Sequence, residues 1–313
     1  MKELKDLKVV FMGTPDFSVN VLKALIDSCN VIGVVSQPDR LVGRKKILTK
    51  TPVKLLAESY GIEVIQPEKV RTDYEDILKW NPDIIITCAY GQIIPKALLD
   101  FPKYGCVNVH ASLLPKLRGG APIHKAIIDG YEKTGVTIMY MDEKMDSGDI
   151  LSQEEIIIED TDTVGTLFDK LSVMGASLLI KTLPDLIKGK ITPIKQDESE
   201  VTYAYNIKRE EERIDFSHST RDVYNQIRGL NPYPGSYGVL NGKTVKIYDV
   251  TMTNNVHKNI VPGEIVKISK DGIVVGLKDG EIIIHSLQME GKKKTTVKEF
   301  INGCSIKEKE VFE

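Results

Sequence analysis

Residues 83–88 read Asp-Ile-Ile-Ile-Thr-Cys, and this stretch decides the fold class. Its apolar residues follow one another instead of alternating with polar ones, which is typical of a strand buried on both faces of a sheet. Stretches with helical periodicity, such as Ser18–Ser28, separate it from similar runs. Those runs are Lys8–Met12, Val31–Ser36, Cys106–His110 and Thr137–Met141. Strands that alternate with helices predict an α/β fold with a mostly parallel sheet.

Capping and helix-ending residues predict where elements begin and end. Thr51 can cap a helix that starts at Pro52, and Gly61 can end that helix. A long helical pattern runs from Val164 to about Ile187. The polar stretch that follows has no clear period, which is typical of a linker.

The sequence pattern changes after this stretch from long helical patterns to short β-type runs, and a second domain is expected. Thr220–Leu230 has a helical pattern, and short β-type runs then extend from Tyr237 to Leu287. The dipeptides Asn241-Gly242, Asp271-Gly272 and Asp279-Gly280, which favour hairpin turns, separate those runs. A chain of 313 residues suits two domains. We therefore predict a first domain in residues 1–189, a linker in 190–206 and a small β-barrel domain in 207–313.

Composition restricts the class of protein. The net charge of −2 argues against coating of nucleic acid by bulk charge, although a local basic patch needs few residues. The four cysteines include no CxxC pair, which favours reduced thiols. No apolar run approaches the ~20 residues that span a membrane, and the start of the chain has no signal-peptide pattern. These features predict a cytoplasmic protein.

Ligands of open α/β sheets bind at the carboxyl ends of the strands. After the first strand the chain reads Gly13-Thr-Pro-Asp-Phe-Ser, which lacks the second and third glycines of a dinucleotide-binding turn. At the end of a later strand, Asn108 and His110 point to the same side because side chains alternate along a strand. The glycine-rich stretch that begins at Ser112 suits backbone contact with a flat ligand. For His110 alone, a histidine satisfied within the core is an equally good interpretation. Asn108 two residues away and the adjoining glycine-rich stretch favour a functional pair.

The segment Met141–Asp149 holds four acids within eight residues. It could be a solvated acidic turn or a metal loop, although calcium-loop spacing is missing. It could also supply a carboxylate that holds His110, and spacing does not decide which acid would do so. The sequence contains no HExxH, GxxxxGK[ST] or GxSxG motif, so neither a metal site nor a serine nucleophile is predicted.

A basic segment, Asp39–Lys50, follows the second strand with five Lys or Arg against one acid. A charge run is often a solvated face. A basic loop at the mouth of a site also suits a polyanionic substrate, and this second interpretation is favoured here. Lys292–Lys294 forms a weaker patch in the second domain.

Motifs along nearly the whole chain resemble those of the methionyl-tRNA formyltransferases. They are Gly13-Thr-Pro-Asp-Phe, Gln37-Pro-Asp-Arg40, Ala89-Tyr-Gly-Gln-Ile-Ile-Pro95, Asn108-Val-His-Ala-Ser-Leu-Leu-Pro115, Arg118-Gly119 with Ala121-Pro122, Gly135-Val-Thr-Ile-Met139, Met145-Asp-Ser-Gly-Asp149 and Arg213-Ile-Asp-Phe216. The resemblance implies a Rossmann-like formyltransferase domain followed by an OB-like β-barrel domain that binds tRNA. It further implies formyl transfer from 10-formyltetrahydrofolate to methionyl-initiator-tRNA, without a metal. The sequence does not give the oligomeric state, and we expect a monomer.

The resemblance also assigns residues to roles. The catalytic set is Asn108, His110 and Asp146. The folate-binding residues are Gln92, Ile94, Ser112, Leu113, Leu114, Pro115, Met141 and Asp142. The tRNA-binding residues are Arg40, Arg44, Lys45, Lys46, Lys208 and Arg209. The chain departs from the family pattern in one place, since Arg44 runs directly into Lys45-Lys46 without an intervening glycine.

These roles predict acyl transfer, in which an amine attacks the formyl carbon and negative charge develops on the formyl oxygen. Asn108 and His110 can donate hydrogen bonds to that oxygen, and Asp146 can hold His110. The alternative within this chemistry is a formyltransferase that acts on a small amine, such as an amino sugar nucleotide or a purine intermediate. A non-catalytic RNA-binding module would leave the paired Asn108 and His110 unexplained.

Overall fold

The computed structural model describes residues 3–43, 45–303 and 306–313. They divide into two compact units. The first comprises Met1–Pro122, Thr134–Ile156 and Phe168–Tyr205, and the second comprises Ile123–Lys133, Ile157–Leu167 and Asn206–Glu313. Among the described residues, no helix has both the length and the apolar character needed to cross a membrane.

The first unit is built on a seven-stranded sheet. Its strands are β1 (Lys8–Gly13), β2 (Asn30–Val35), β5 (Val64–Ile65), β6 (Ile84–Cys88), β7 (Cys106–His110), β8 (Lys133–Tyr140) and β9 (Ile150–Ile157). Their order in the sheet is β5-β2-β1-β6-β7-β8-β9. The first five in the sheet order pair in parallel, whereas β7 and β8 are antiparallel. The mostly parallel sheet predicted from the sequence is therefore confirmed.

The helices of this unit cover the sheet. They are α1 (Phe17–Ser28), α2 (Pro52–Ser59), α3 (Glu75–Lys79), α4 (Lys96–Leu99) and most of α6 (Val164–Ile187). Except for Pro122, α5 (Pro122–Ile128) belongs to the second unit. Thr51 caps α2 by accepting a hydrogen bond from the N–H of Lys54 at 3.2 Å, and Pro52 occupies the first turn. Both roles match the sequence prediction.

Strand β6 lies at the centre of the sheet between β1 and β7. Each of its five residues is buried, as the unbroken apolar run predicts. This central position places the carboxyl ends of β1, β6 and β7 side by side.

The second unit contains α7 (Thr220–Gly229) and a six-stranded antiparallel sheet with a final short helix, α8 (Val297–Phe300). The strands are β10 (Ser236–Leu240), β11 (Lys243–Thr253), β12 (Ile265–Ser269), β13 (Gly272–Leu277), β14 (Gly280–Met289) and β15 (Thr295–Thr296). Asn241 and Gly242 both have positive φ, at 51° and 73°, and form the predicted hairpin turn between β10 and β11.

Residues 309–313 close this sheet. Val239 of β10 exchanges two main-chain hydrogen bonds with Glu313, each 2.8 Å long. Ile265 of β12 exchanges two more with Lys309 and Glu310, also 2.8 Å long. The two edge strands are thus bridged by one segment, and the buried residues inside include Ile247, Ile273 and Phe312. Since both edges are bonded, the sheet forms a closed barrel.

Two segments carry structure that the sequence analysis did not anticipate. The basic segment, predicted as a loop, contains a two-stranded hairpin, β3 (Arg40–Val42) with β4 (Ile47–Thr49). Residues 190–206, predicted as a linker, form two isolated β-bridges within the first unit. Ile194 pairs with Ile150 of β9, and Tyr203 pairs with Arg118 of the loop after β7.

Candidate active site

Asn108 and His110 lie at the carboxyl end of β7, where the sequence placed them. Asn108 pairs with Thr87 of β6 on one side and with Met139 of β8 on the other. The hydroxyl of Thr87 donates to Oδ1 of Asn108 at 2.8 Å. Because this bond engages the amide oxygen, the orientation of the side chain is set and its NH₂ group is directed away from Thr87.

His110 is 5% exposed, and both of its ring nitrogens face oxygens of the protein. Nε2 lies 3.1 Å from the main-chain oxygen of Leu117. A carbonyl can only accept, so Nε2 carries a proton in this arrangement. Nδ1 lies 3.7 Å from Oδ2 of Asp146, which is longer than a direct hydrogen bond but within reach of an ion pair. The imidazole is thus held in a defined orientation at the end of the strand.

Asp146 is the acid of its segment whose carboxylate faces His110. The main-chain N–H of Gly119 donates to its Oδ2 at 2.8 Å. The carboxylate of Asp142 is bound instead within its own turn, by the hydroxyl of Ser147 and the N–H of Lys144. The structure therefore separates these two acids, which spacing alone left open.

The predicted folate-binding stretch Ser112–Pro115 is held mainly through hydrogen bonds to its main-chain groups. The hydroxyl of Thr137 donates to the carbonyl of Ser112 at 2.6 Å, and the N–H of Leu114 donates to that hydroxyl at 3.1 Å. The side chain of Ser112 is fully buried and donates to the carbonyl of Lys116. Leu114 packs against Met139. Leu113 and Pro115 keep half-buried side chains that a ligand at this stretch could contact.

The remaining predicted folate residues lie on the loop after β6 and on the segment after β8. The amide of Gln92 bonds to the N–H of Val70 and to the carbonyl of Pro67. Ile94 is buried in the core, and Met141 is half-buried beside Thr87, whose hydroxyl lies 3.0 Å from its sulfur. Gln92 and Ile94 thus shape the edge of the site with side chains that already have partners.

Sequence reasoning missed a polar network at the ends of β1, β2 and β6. Thr14 and Gln37 both donate to the carbonyl of Tyr90, at 3.1 Å each. Gln66 donates to Asp39 at 2.8 Å, and Lys54 lies 2.7 Å from the same carboxylate. The hydrogen bond from Gln66 and then the one from Lys54 lower the pKa of Asp39. The signal available was the group of polar residues that directly follows each strand.

The described cysteines do not supply a nucleophile. Cys29, Cys88 and Cys106 are free thiols, and Cys88 and Cys106 are buried. Burial raises the pKa of Cys88 to about 12 and raises that of Cys106 as well. A thiol of this kind is almost fully protonated near neutral pH. Cys304 lies outside the described residues.

The chain is similar to known proteins over almost its whole length. The formyl transferase family model matches residues 7–183, and the formyl transferase C-terminal domain model matches residues 206–305. The methionyl-tRNA formyltransferase of Bacillus cytotoxicus is 57% identical over 307 residues, which cover 96% of this chain and 96% of that protein. The chain belongs to the methionyl-tRNA formyltransferase family.

Solved structures share the fold of this methionyl-tRNA formyltransferase family member at low sequence identity. HypX from Aquifex aeolicus, in complex with tetrahydrofolic acid, superposes with a TM-score of 0.65 and 17% identity over 94% of this chain and 46% of that one. Methionyl-tRNA formyltransferase from Clostridium thermocellum superposes with a TM-score of 0.56 and 19% identity over 80% of this chain and 95% of that one.

In this formyltransferase, the residues predicted to bind tRNA lie in both units. Arg40 is exposed on the β3–β4 hairpin and pairs with Glu68 at 3.0 Å. Lys45 and Lys46 are exposed in the turn of that hairpin, where Lys46 has a φ of 47°. Arg44 lies outside the described residues.

The other two residues of the predicted tRNA set belong to the second unit. Lys208 is exposed, and its main-chain N–H is bonded by Glu211 at 2.9 Å. The guanidinium of Arg209 lies 4.2 Å from the ring centroid of Tyr237 and pairs with Glu212. Arg209 is therefore partly engaged within its own unit.

Within the part of the chain that the structure describes, no group of three or more His, Cys, Asp or Glu side chains is arranged to hold a metal ion.

Proposed function

We propose that this chain transfers the formyl group of 10-formyltetrahydrofolate to the free amino group of methionyl-initiator-tRNA. The observation that carries the proposal is the set Asn108, His110 and Asp146 at one sheet edge. An amide donor and an imidazole lie on the same side of β7, and a carboxylate faces the imidazole. This arrangement suits stabilisation of negative charge that develops on an acyl oxygen.

Each of the three side chains would have its own part in the reaction. The NH₂ group of Asn108 would donate to the formyl oxygen as it becomes negative. Since Nε2 of His110 already bonds to Leu117, His110 would act mainly through positive charge beside that oxygen. Asp146 would stabilise the charged imidazole and orient it. The incoming ammonium must also lose protons, for which a carboxylate or a water molecule is required as a base.

The two substrates would be held by different residues. Main-chain groups of Ser112, Leu113, Leu114 and Pro115, with the surroundings of Gln92, Ile94, Met141 and Asp142, would hold the folate. Arg40, Arg44, Lys45, Lys46, Lys208 and Arg209 would bind the phosphates of the tRNA. No metal is needed, because charge on the acyl oxygen is stabilised by protein donors.

The alternative acceptor, a small amine, is less well supported than methionyl-tRNA. Relatives that match almost the whole chain at 57% identity are named methionyl-tRNA formyltransferases.

Substitution of the catalytic set tests the chemistry. We expect Asp146→Asn and His110→Ala to reduce kcat by about 10²–10³-fold, the usual cost of losing one preorganised stabiliser of an oxyanion. Glu143→Gln, a neutralised acid in the same segment with an exposed side chain, should stay within about twofold of wild type, since it lies outside the set. Turnover near wild type in Asp146→Asn, with the melting temperature retained, would contradict the assignment.

A further inference from the structure

The segment that follows α6 lies along the loop after β7, which we call the catalytic loop (residues 111–121). We name residues 194–204 the strap. Thr202 accepts hydrogen bonds from the N–H of Leu117 at its hydroxyl and from that of Arg118 at its carbonyl, each 2.9 Å long. Ala204 donates to the carbonyl of Arg118 at 2.7 Å and accepts from Ala121 at 2.9 Å. The strap therefore supports the loop that carries Leu117, the partner of His110.

One side chain of the strap connects it to the catalytic acid. Nε2 of Gln196 donates to the main-chain carbonyl of Asp146 at 2.9 Å and to that of Gly148 at 2.8 Å. Its Oε1 accepts from Nε of Arg118 at 3.0 Å. Both branches of this amide are thus bonded to the catalytic region.

Arg118 sets the orientation of this amide. Arg118 is 3% exposed and its guanidinium can only donate, so the oxygen of Gln196 must face it and the NH₂ group must face the two carbonyls. Glu198, also on the strap, pairs with the same guanidinium at 2.9 Å. Gln196 therefore has one stable arrangement.

The hydrogen bonds of Gln196 meet the main chain at an unusual turn. Asp146 has a φ of 49°, in the left-handed region, where aspartate is tolerated better than most residues but still at a cost in free energy relative to glycine. Gly148 lies so close to β8 that a Cβ atom there would be 2.0 Å from the carbonyl oxygen of Tyr140. Gln196 bonds to the carbonyls of both residues and fixes the turn between them.

From these contacts we infer that Gln196 is a positioning residue for formyl transfer, acting through Asp146. The inference rests on the proposed function. Gln196 holds the main chain of Asp146 in the conformation that directs its carboxylate to His110. The Gly119 N–H that binds this carboxylate is itself confined by the strap, because a Cβ on Gly119 would lie 2.7 Å from the oxygen of Ala204.

Gln196→Glu tests this inference. The substitution keeps the volume and the acceptor for Arg118, but it places an oxygen against two carbonyl oxygens. We expect kcat to fall about 10–10²-fold, since small displacements of a catalytic group have effects of this size. KM for the folate and for the tRNA should stay within about twofold, because Gln196 carries no proposed substrate contact. The dependence of kcat on pH should also differ from that of wild type, because the carboxylate of Asp146 would no longer be held against His110.

Gln226→Glu is the matched control. Nε2 of Gln226 likewise bridges two main-chain carbonyls, those of Glu211 and Arg213, at 2.9 Å each. Gln226 is also half-buried, and it lies in the second unit, which contains none of the proposed catalytic residues. The same chemical change there should leave kcat and its pH profile unchanged. Gln196→Ala, which removes the amide without repulsion, covers the case in which the glutamate variant fails to fold.

A second readout does not depend on the acceptor. The ¹⁵N shifts of the His110 ring, followed from pH 5 to 9, should change in Gln196→Glu and Gln196→Ala but not in Gln226→Glu. If wild type forms no formyl-methionyl-tRNA, the proposed function fails while this titration still tests the contact. Unchanged kcat and unchanged His110 shifts in both Gln196 variants would overturn the inference, as would a rise in KM alone.

Discussion

The main-chain N–H of Gly119 donates to Oδ2 of Asp146 at 2.8 Å, and that oxygen is the one that faces Nδ1 of His110 at 3.7 Å. The catalytic acid is therefore positioned by a glycine on the loop after β7, at a separation of 27 residues along the chain. Glycine is required there on two grounds. Its φ is 122°, and a Cβ would lie 2.7 Å from the oxygen of Ala204.

Gly119→Ala should lower both stability and turnover. We expect a loss of about 1–3 kcal/mol in the free energy of unfolding from the strained backbone. The displaced N–H should also reduce kcat by about tenfold or more. Gly61→Ala is the control, because Gly61 has a φ of 68° with no atom within 4 Å of a Cβ. Urea unfolding and steady-state rates on both variants give the test. Equal turnover in the two would contradict a role for Gly119 in placing Asp146.

Thr87→Val should impair Asn108 without changing the shape of the core. The variant leaves Oδ1 of Asn108 without the donor that fixes the amide, which we expect to cost about 1–3 kcal/mol of stability. Turnover should fall because the amide is free to rotate, and single-turnover rates would measure this.

Thr134→Val provides the comparison for Thr87. Thr134 is equally buried, at 2% exposure, and its hydroxyl is buried without a hydrogen-bond partner among the described residues. Removing that hydroxyl should be neutral or slightly stabilising. If Thr87→Val behaved like Thr134→Val in both rate and stability, the proposed orientation of Asn108 would be wrong.

The double substitution of Lys45 and Lys46 by Ala should raise KM for tRNA and leave kcat nearly unchanged. Each lost phosphate contact should reduce the slope of log affinity against log salt by about 0.7–0.9. Lys50→Ala in the same basic segment should have less effect, because Lys50 pairs with Glu58 at 2.7 Å. Titration of KM with KCl separates these outcomes. A KM for tRNA insensitive to the double substitution at low salt would contradict the proposed contact.

His124 predicts a pH dependence of stability. Burial lowers its pKa from 6.5, so the unfolded chain binds this proton more readily than the folded protein does. The contribution is neutral above about pH 6.5 and becomes destabilising as the pH falls below that value. Urea unfolding at pH 5.5 and 7.5 should show a smaller pH effect in His124→Gln than in wild type. An identical pH effect in both proteins would show that His124 is not responsible.

Much of the fold could be predicted because its signals are local. Continuous burial of Ile84–Cys88 follows from an unbroken apolar run, and the capping of α2 follows from Thr51 and Pro52. The hairpin at Asn241-Gly242 requires two positive φ angles, which these residues readily adopt. The edge strand Ile150–Ile157 was not predicted, although its residues alternate between buried or half-buried and exposed positions over most of its length.

The position of Asn108 and His110 was predictable, because one strand places them on one side. The contacts of Asp146 were not, since they depend on residues far away in the sequence. Gln196 lies in a polar stretch that resembles a linker, and its hydrogen bonds exist only because the chain returns to the catalytic loop. Periodicity carries no information about such a return, which is why the sequence predicted residues 190–206 only as a linker and gave no sign of these contacts.

The central claim is that the chain formylates methionyl-initiator-tRNA. The most direct measurement supplies 10-formyltetrahydrofolate with methionine-charged initiator tRNA or elongator tRNA, and follows formyl-methionyl-tRNA with time. The account predicts rapid formation with initiator tRNA, weak formation with elongator tRNA, and loss of both in His110→Ala. Consumption of the folate without formylated tRNA would assign the chemistry to another acceptor. The absence of both formylated tRNA and folate consumption would contradict the account as a whole.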